Sequence, residues 1–234
     1  WHLYSPSTAS DVWTSVDLHV VFDANTTNQT SGNNIIGTGS TTATICIMLD
    51  DCDFSGTGGL LRNTAGTTNE NVTNIMGRGN LHTTYLYGLF RANKSGTIFN
   101  VYGGTYTKDN CGVIGQPLIS VVNGATVNIF DGVVIGPAEK PTTNVYNTNV
   151  AGTLNMYGGT IQNGRTTTDY QSGNVYILGT ATLNMYAGTI MGGYAKYGGN
   201  IYVCPKGKAN IYGTVSGGES TVIGGNIGSY GGVI

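Results

Sequence analysis

The sequence predicts an all-β fold: a single-stranded parallel β-helix, or solenoid, of about eight coils of about 27 residues each. Three observations lead there. One short phrase recurs five times at a nearly constant step, the segments that carry it are rich in Val, Ile, Thr and Tyr, and glycine clusters punctuate them.

The phrase is Phe99-Asn-Val-Tyr-Gly-Gly-Thr, and it returns as Val127-Asn-Ile-Phe-Asp-Gly-Val, Leu154-Asn-Met-Tyr-Gly-Gly-Thr, Leu183-Asn-Met-Tyr-Ala-Gly-Thr and Ala209-Asn-Ile-Tyr-Gly-Thr-Val. Its asparagines, Asn100, Asn128, Asn155, Asn184 and Asn210, follow one another in steps of 28, 27, 29 and 26. A second phrase, Thr143-Asn-Val-Tyr, Gly173-Asn-Val-Tyr and Gly199-Asn-Ile-Tyr, precedes the first by about ten residues. Each repeat therefore holds at least two short strands joined by Gly-rich turns. Helical repeats of similar length need an apolar period near 3.6, and a propeller blade needs about 40 residues. The period seen here suits one turn of a three-sided coil in which each strand pairs with its equivalent one coil away.

Strand residues alternate faces, which sorts the side chains. Phe99, Val127, Leu154, Leu183 and Ala209 point the same way as Val101, Ile129, Met156, Met185 and Ile211, and this apolar set is the expected core. The opposite parity carries the five asparagines and then Tyr102, Phe130, Tyr157, Tyr186 and Tyr212. In the second phrase Val145, Val175 and Ile201 are expected inward, with Tyr146, Tyr176 and Tyr202 outward. Equivalent residues in successive coils lie about 4.8 Å apart, so two stacked aromatic ladders are expected on the surface.

Upstream, weaker matches continue the step. Counting back from Asn100, Thr73-Asn-Ile-Met, Ile45-Cys-Ile-Met-Leu and Leu18-His-Val-Val-Phe each lie one period before the last. Residues 1–234 thus read as a single β-helix domain. Residues 1–45 are degenerate first coils or a cap, 46–95 irregular coils and 96–234 regular coils.

With these phrases the chain resembles the right-handed parallel β-helix proteins of the pectate-lyase-like class, and more closely the repetitive bacterial cell-surface β-helix proteins. The resemblance covers residues 96–216 well and 12–95 loosely. It implies a right-handed coil and an extracellular or cell-surface location. For function it implies less, because relatives of this shape include polysaccharide lyases and glycosidases as well as adhesins and structural surface proteins.

Composition excludes several classes. Apolar residues make up 39% and the formal charge is only −2, too apolar and too neutral for a disordered chain. No Lys/Arg run exists to follow a phosphate backbone, which argues against nucleic acid. No apolar stretch approaches the roughly 20 residues of a membrane-spanning helix. The sequence starts at Trp1 without a signal-peptide pattern, as a processed chain or a piece of a longer one would. Cys46, Cys52, Cys111 and Cys204 show neither zinc-ligand spacing nor a disulfide framework, and a Cys46–Cys52 bridge needs a bend between them. Four sequons, at Asn25, Asn28, Asn71 and Asn93, are candidate glycosylation sites in a secretory host.

The best enzymatic constellation is Asp50, Asp51 and Asp53 with Arg62, Arg78 and Arg91, since lyases of the resembling class use acidic residues for calcium and basic ones for proton abstraction. Asp50 and Arg78 stand one period apart, so a salt bridge between adjacent coils is the simpler expectation. Asp131, Glu139, Asp169 and Glu219 fall at different places in the coil and form no glycosidase pair. His2, His19 and His82 are isolated, and the glycine clusters near Gly37 and Gly56 lack the strand–helix setting of a phosphate loop. No catalytic, cofactor or metal site follows. Thr97, Thr126, Thr153 and Thr182 also repeat, but without the two-wide array of an ice-binding surface.

The expected function is accordingly structural: a non-enzymatic subunit of an extracellular filament or fibre, with a carbohydrate-binding adhesin as the alternative and a lyase or glycosidase behind it. The outward tyrosines stack on one another in the simplest case, and otherwise offer a protein contact or a platform for sugar rings. Asn226, Ile227, Val233 and Ile234 continue the repeat without a polar cap. That predicts self-association head to tail along the coil axis.

Overall fold

The computed structural model describes residues 15–23, 42–56, 61–62, 71–84, 88–109, 117–169 and 171–234. It is an all-β parallel solenoid in which three lines of strands run along the axis. The first face stacks Thr97–Val101, Thr126–Ile129, Thr153–Met156, Thr182–Met185 and Lys208–Ile211 in parallel register. The second stacks Gly104–Lys108, Val133–Ile135, Thr160–Gln162, Thr189–Met191 and Thr214–Ser216. The third runs from Leu61–Arg62 through Phe90–Asn93, Ile119–Val122, Thr148–Val150, Val175–Ile177 and Ile201–Val203 to Ile227–Ser229. Among the described residues no helix is long and apolar enough to cross a membrane.

The register is the one the asparagines predict, since Asn100, Asn128, Asn155, Asn184 and Asn210 stand opposite one another rung by rung. The weaker upstream matches also fall in line, with Asn74 beside Asn100, Cys46 beside Asn74 and His19 beside Cys46. The coil has about six turns rather than about eight. Counting phrases included Ser15–Asp23, which among the described residues pairs only with Thr42–Gly56, and the first described rung of the third face is Leu61–Arg62.

At this end the first two faces are drawn from continuous strands. Asn71–Thr83 pairs with Thr97–Val101 by its first half and with Gly104–Lys108 by its second, turning the corner between them at Gly77. Gly77 has φ +91, and a Cβ there would lie 2.2 Å from the Leu49 carbonyl oxygen, so only glycine fits this corner.

Alternation fixes the core as expected. Phe99, Val101, Val127, Ile129, Leu154, Met156, Leu183, Met185 and Ala209 are buried, and Ile211 packs partly against them. Second-face Tyr106, Val133, Ile135, Ile161 and Ile190 and third-face Phe90, Val121, Val150, Ile177 and Val203 complete an axial column of apolar side chains. Leu183 is 0% exposed and Tyr186, on the same turn of the phrase, is 50%. Leu183→Ala should therefore lower stability by about 2–5 kcal/mol in urea denaturation. Tyr186→Ala, removing one member of an exposed stack, should cost about 1 kcal/mol or less.

Candidate functional surface: the stacked side-chain ladders

The first-face aromatics form the outward stack the sequence predicts. Ring centroids are 4.4 Å apart for Tyr102–Phe130, 5.1 Å for Phe130–Tyr157 and 5.1 Å for Tyr157–Tyr186, with interplanar angles of 17°, 17° and 12°. Tyr212 occupies the next rung and is largely exposed. Stacked rings turn their faces to each other, so an approaching ligand meets mainly ring edges and hydroxyls. That geometry suits inter-coil cohesion better than a platform for sugar rings, which pack on ring faces.

Beside the rings runs a ladder of amides. Asn100 Nδ2 donates to Asn74 Oδ1 at 2.9 Å, Asn128 to Asn100 at 2.7 Å, Asn155 to Asn128 at 2.8 Å, Asn184 to Asn155 at 2.9 Å and Asn210 to Asn184 at 2.8 Å. Every donor points back toward the preceding coil.

The second expected tyrosine ladder is corrected. Tyr146 and Tyr202 are buried and Tyr176 is half-buried. Tyr176 and Tyr202 do stack, at 5.9 Å and 9°, and Tyr197 tilts against Tyr202 at 5.6 Å. Tyr146 does not belong to this ladder, because the residue in register with Tyr176 is Asn149. Val145 instead forms an antiparallel bridge with Arg165, and the Tyr146 hydroxyl lies 2.9 Å from Thr168 Oγ1. Side chains assigned to an open face are covered by neighbouring segments that fold over it.

That shift exposes a ladder the sequence reading missed. Asn147, Asn174, Asn200 and Asn226 are successive rungs, and the first three are fully buried. Asn147 Nδ2 donates to Asn174 Oδ1 at 2.7 Å, Asn174 to Asn200 at 2.7 Å and Asn200 to Asn226 at 2.9 Å, so these donors point toward the following coil, opposite to the outer ladder. Each amide also ties down the backbone. Nδ2 of Asn147, Asn174 and Asn200 donates to the carbonyls of Gln162, Met191 and Ser216, while Oδ1 of Asn174, Asn200 and Asn226 accepts from the N–H of Gly164, Gly193 and Gly218. Gly193 cannot be larger, since a Cβ there would meet the Gly199 carbonyl oxygen at 2.2 Å. The signal was present in the spacing. Asn147, Asn174, Asn200 and Asn226 recur in steps of 27, 26 and 26, whereas the step from Asn144 to Asn174 is longer than any of these.

The proposed acid–base set does not converge. Asp50 is in backbone register with Arg78, as expected, but the side chain that pairs with Arg78 is Asp51, with Nε–Oδ1 at 3.7 Å. The cause is a bulge that shifts register between Asp50 and Cys52 and places Asp51 in the left-handed region at φ 49. Both partners are well exposed, which makes the pair worth little. They line a groove of about 360 Å³ with Asn80 and Thr105. Arg91 lies on the third face, in register with Arg62. His82 Nδ1 is 2.9 Å from Thr107 Oγ1, and its Nε2 is 3.4 Å from Asp109.

Other charges pair on the surface. Lys196 and Asp169 are 2.6 Å apart, and their hydrogen bond and attraction raise the lysine pKa. Lys140 bonds Glu219 and lowers its carboxyl pKa. Cys204 has its thiol pKa raised by burial, and Tyr176 has its hydroxyl pKa raised by burial and by its hydrogen bond to Cys204. Among the described residues Cys46, Cys52 and Cys204 are not joined by disulfides, so Cys46 and Cys52 are not bridged to each other.

Of the sequons, Asn25 and Asn28 lie outside the described residues, and Asn71 opens the strand Asn71–Thr83. Asn93 ends Phe90–Asn93 at a turn, where its Oδ1 accepts from Asn123 Nδ2 at 2.7 Å. At the other end, Ile227 packs partly on the core, Val233 and Ile234 are exposed, and the Val233 carbonyl accepts from Ala209 N–H at 2.9 Å. No protein-family model, curated protein or solved structure matches the chain. Its class is defined by its geometry, a parallel β-solenoid.

The two asparagine ladders differ in burial, and their energetics should differ accordingly. Asn200→Ala strands the Gly193 N–H and removes the acceptor of Asn174 in a dry site. Each buried group left unsatisfied costs about 1–3 kcal/mol. Asn210→Ala, on the exposed ladder, should cost about 1 kcal/mol or less. Paired urea denaturation curves check the difference.

Proposed function

We propose that this chain is a structural solenoid of extracellular or surface material, a subunit that joins others head to tail along the coil axis. The observation that carries the reading is the use of the repeated side chains. Amides bond to amides and rings stack on rings from coil to coil, so the periodic chemistry serves cohesion along the axis. A surface with few charges offers little electrostatic resistance to association.

Axial joining would extend interactions already present. The rung Ile227–Ser229 pairs in parallel with Ile201–Val203, and Asn226 accepts from Asn200. A second copy seated on this rung would continue the backbone pairing, and the Asn226 amide would serve as the next donor of the buried ladder. Burial of Ile227, Val233 and Ile234 would add apolar contact. A heterologous contact of this kind does not close, so it propagates as a fibre.

Electron microscopy and light scattering test the reading. Fibres with their axis along the solenoid are expected, and Ile227→Pro, which removes the N–H donated to Gly224 at 2.8 Å, should shorten or abolish them while the central coils stay folded. A chain that stays monomeric at high concentration contradicts head-to-tail assembly.

A further inference from the structure

Two phenols of the first-face stack, Tyr157 and Tyr186, meet face to face at 5.1 Å with 12° between their planes. They follow Met156 and Met185, which are register partners in parallel strands, and the Tyr186 N–H donates to the Met156 carbonyl at 2.8 Å. Two residues before each ring, the Asn184 amide donates to Asn155 Oδ1 at 2.9 Å. Backbone and amide bonds thus hold the phenols on neighbouring rungs, pointing the same way, with like ring edges side by side. Both are open to solvent, at 44% and 50% exposed.

Their surroundings single them out. Tyr157 has Phe130 on its other side at 5.1 Å, and Phe130 separates it from Tyr102. A phenyl ring has no O–H to lose, so the stack is broken for phenol chemistry between Tyr102 and Tyr157. Two further pairs in ring contact, Tyr176 with Tyr202 and Tyr197 with Tyr202, share a ring only 3% exposed, out of reach of an oxidant in solution.

We propose that Tyr157 and Tyr186 are a site of oxidative cross-linking, a dityrosine that joins two adjacent coils of one chain. The oxidant is hydrogen peroxide acting through a haem peroxidase. Each phenol gives up one electron and one proton to become a phenoxyl radical, whose unpaired electron is shared with the ring carbons ortho to oxygen. A carbon–carbon bond forms between one ortho carbon of each ring. The hydrogens those two carbons carried pass to the oxygens through solvent, which restores both phenols. The two electrons and two protons removed reduce one peroxide to two waters. Joining the rings needs their edges to turn toward each other, a rotation that exposed side chains make in nanoseconds or less. The shared scaffold supplies the advantage of an intramolecular reaction. The proposal goes beyond the fibre reading and does not rest on it, since both tyrosines belong to one chain.

The full chain at micromolar concentration, treated with a haem peroxidase and hydrogen peroxide, tests the proposal. A monomer-sized product two hydrogens lighter is expected, with dityrosine fluorescence and a peptide map that joins Tyr157 to Tyr186. Tyr157→Phe and Tyr186→Phe keep a ring in the stack, and each should lower intramolecular dityrosine about tenfold or more, because the remaining phenol loses its held partner. Phe130→Tyr supplies the missing phenol and should open coupling to Tyr102, whose ring is 4.4 Å away. The proposal is overturned if the main bridge maps to another pair, if dityrosine forms only between chains, or if its yield is undiminished in Tyr186→Phe. Recovery of Tyr157 and Tyr186 unjoined after the peroxide is consumed overturns it as well. Each of these results leaves the fibre measurements untouched, because the coupling is read on the monomer.

Discussion

Parallel pairing of each strand with its equivalent one coil away is the constraint on which everything else in this molecule rests. Backbone hydrogen bonding sets a rung spacing of about 4.8 Å. A repeat of about 27 residues then brings like side chains to the same place on every rung. Once that is so, an amide can satisfy the next amide and a ring can stack on the next ring. The column of Leu, Ile, Val and Met inside excludes water, and the side-chain ladders lock the register from outside and from within the turns.

The two asparagine ladders divide this work. The outer one runs along a half-exposed face, where water can replace any lost bond, and its contribution is modest. The inner one is dry. Its asparagines bond each other and also hold the glycine N–H groups and the carbonyls of the turns that close the coil. Glycine and asparagine are therefore coupled requirements there, since the amide reaches its partners only where the backbone approaches without a Cβ. The polarity of the two ladders is opposite, so a rung added along the axis would meet amide donors at one ladder and acceptors at the other.

The first face was legible because the phrase around Asn155 repeats with little change and strand alternation converts it directly into core and surface. Even the faint matches at Cys46 and His19 fell in register. The third face was misread for a physical reason. Asn144-Val-Tyr looks like Asn174-Val-Tyr, but the true rung begins at Asn147, and Val145 before it forms an isolated antiparallel bridge with Arg165. Similarity of letters competed with constancy of period, and the period was the better guide because backbone pairing enforces it. Burial of Tyr146 and Tyr202 was illegible by any repeat argument, since it depends on segments of irregular shape folding over the face. The pairing of Arg78 with Asp51 instead of Asp50 has a similar origin, a single bulged residue that no spacing count registers.

Cross-linking of introduced cysteines tests the coil register most directly. Asn155 and Asn184 are partners on adjacent rungs, whereas Asn155 and Asn210 are two rungs apart. At about 4.8 Å per rung, only the first pair falls within disulfide reach. The account predicts that Asn155→Cys with Asn184→Cys oxidises to an intramolecular bridge, mapped by peptide mass spectrometry, and that Asn155→Cys with Asn210→Cys does not. Bridging of the second pair and not the first would contradict the stacked register and the ladders built on it.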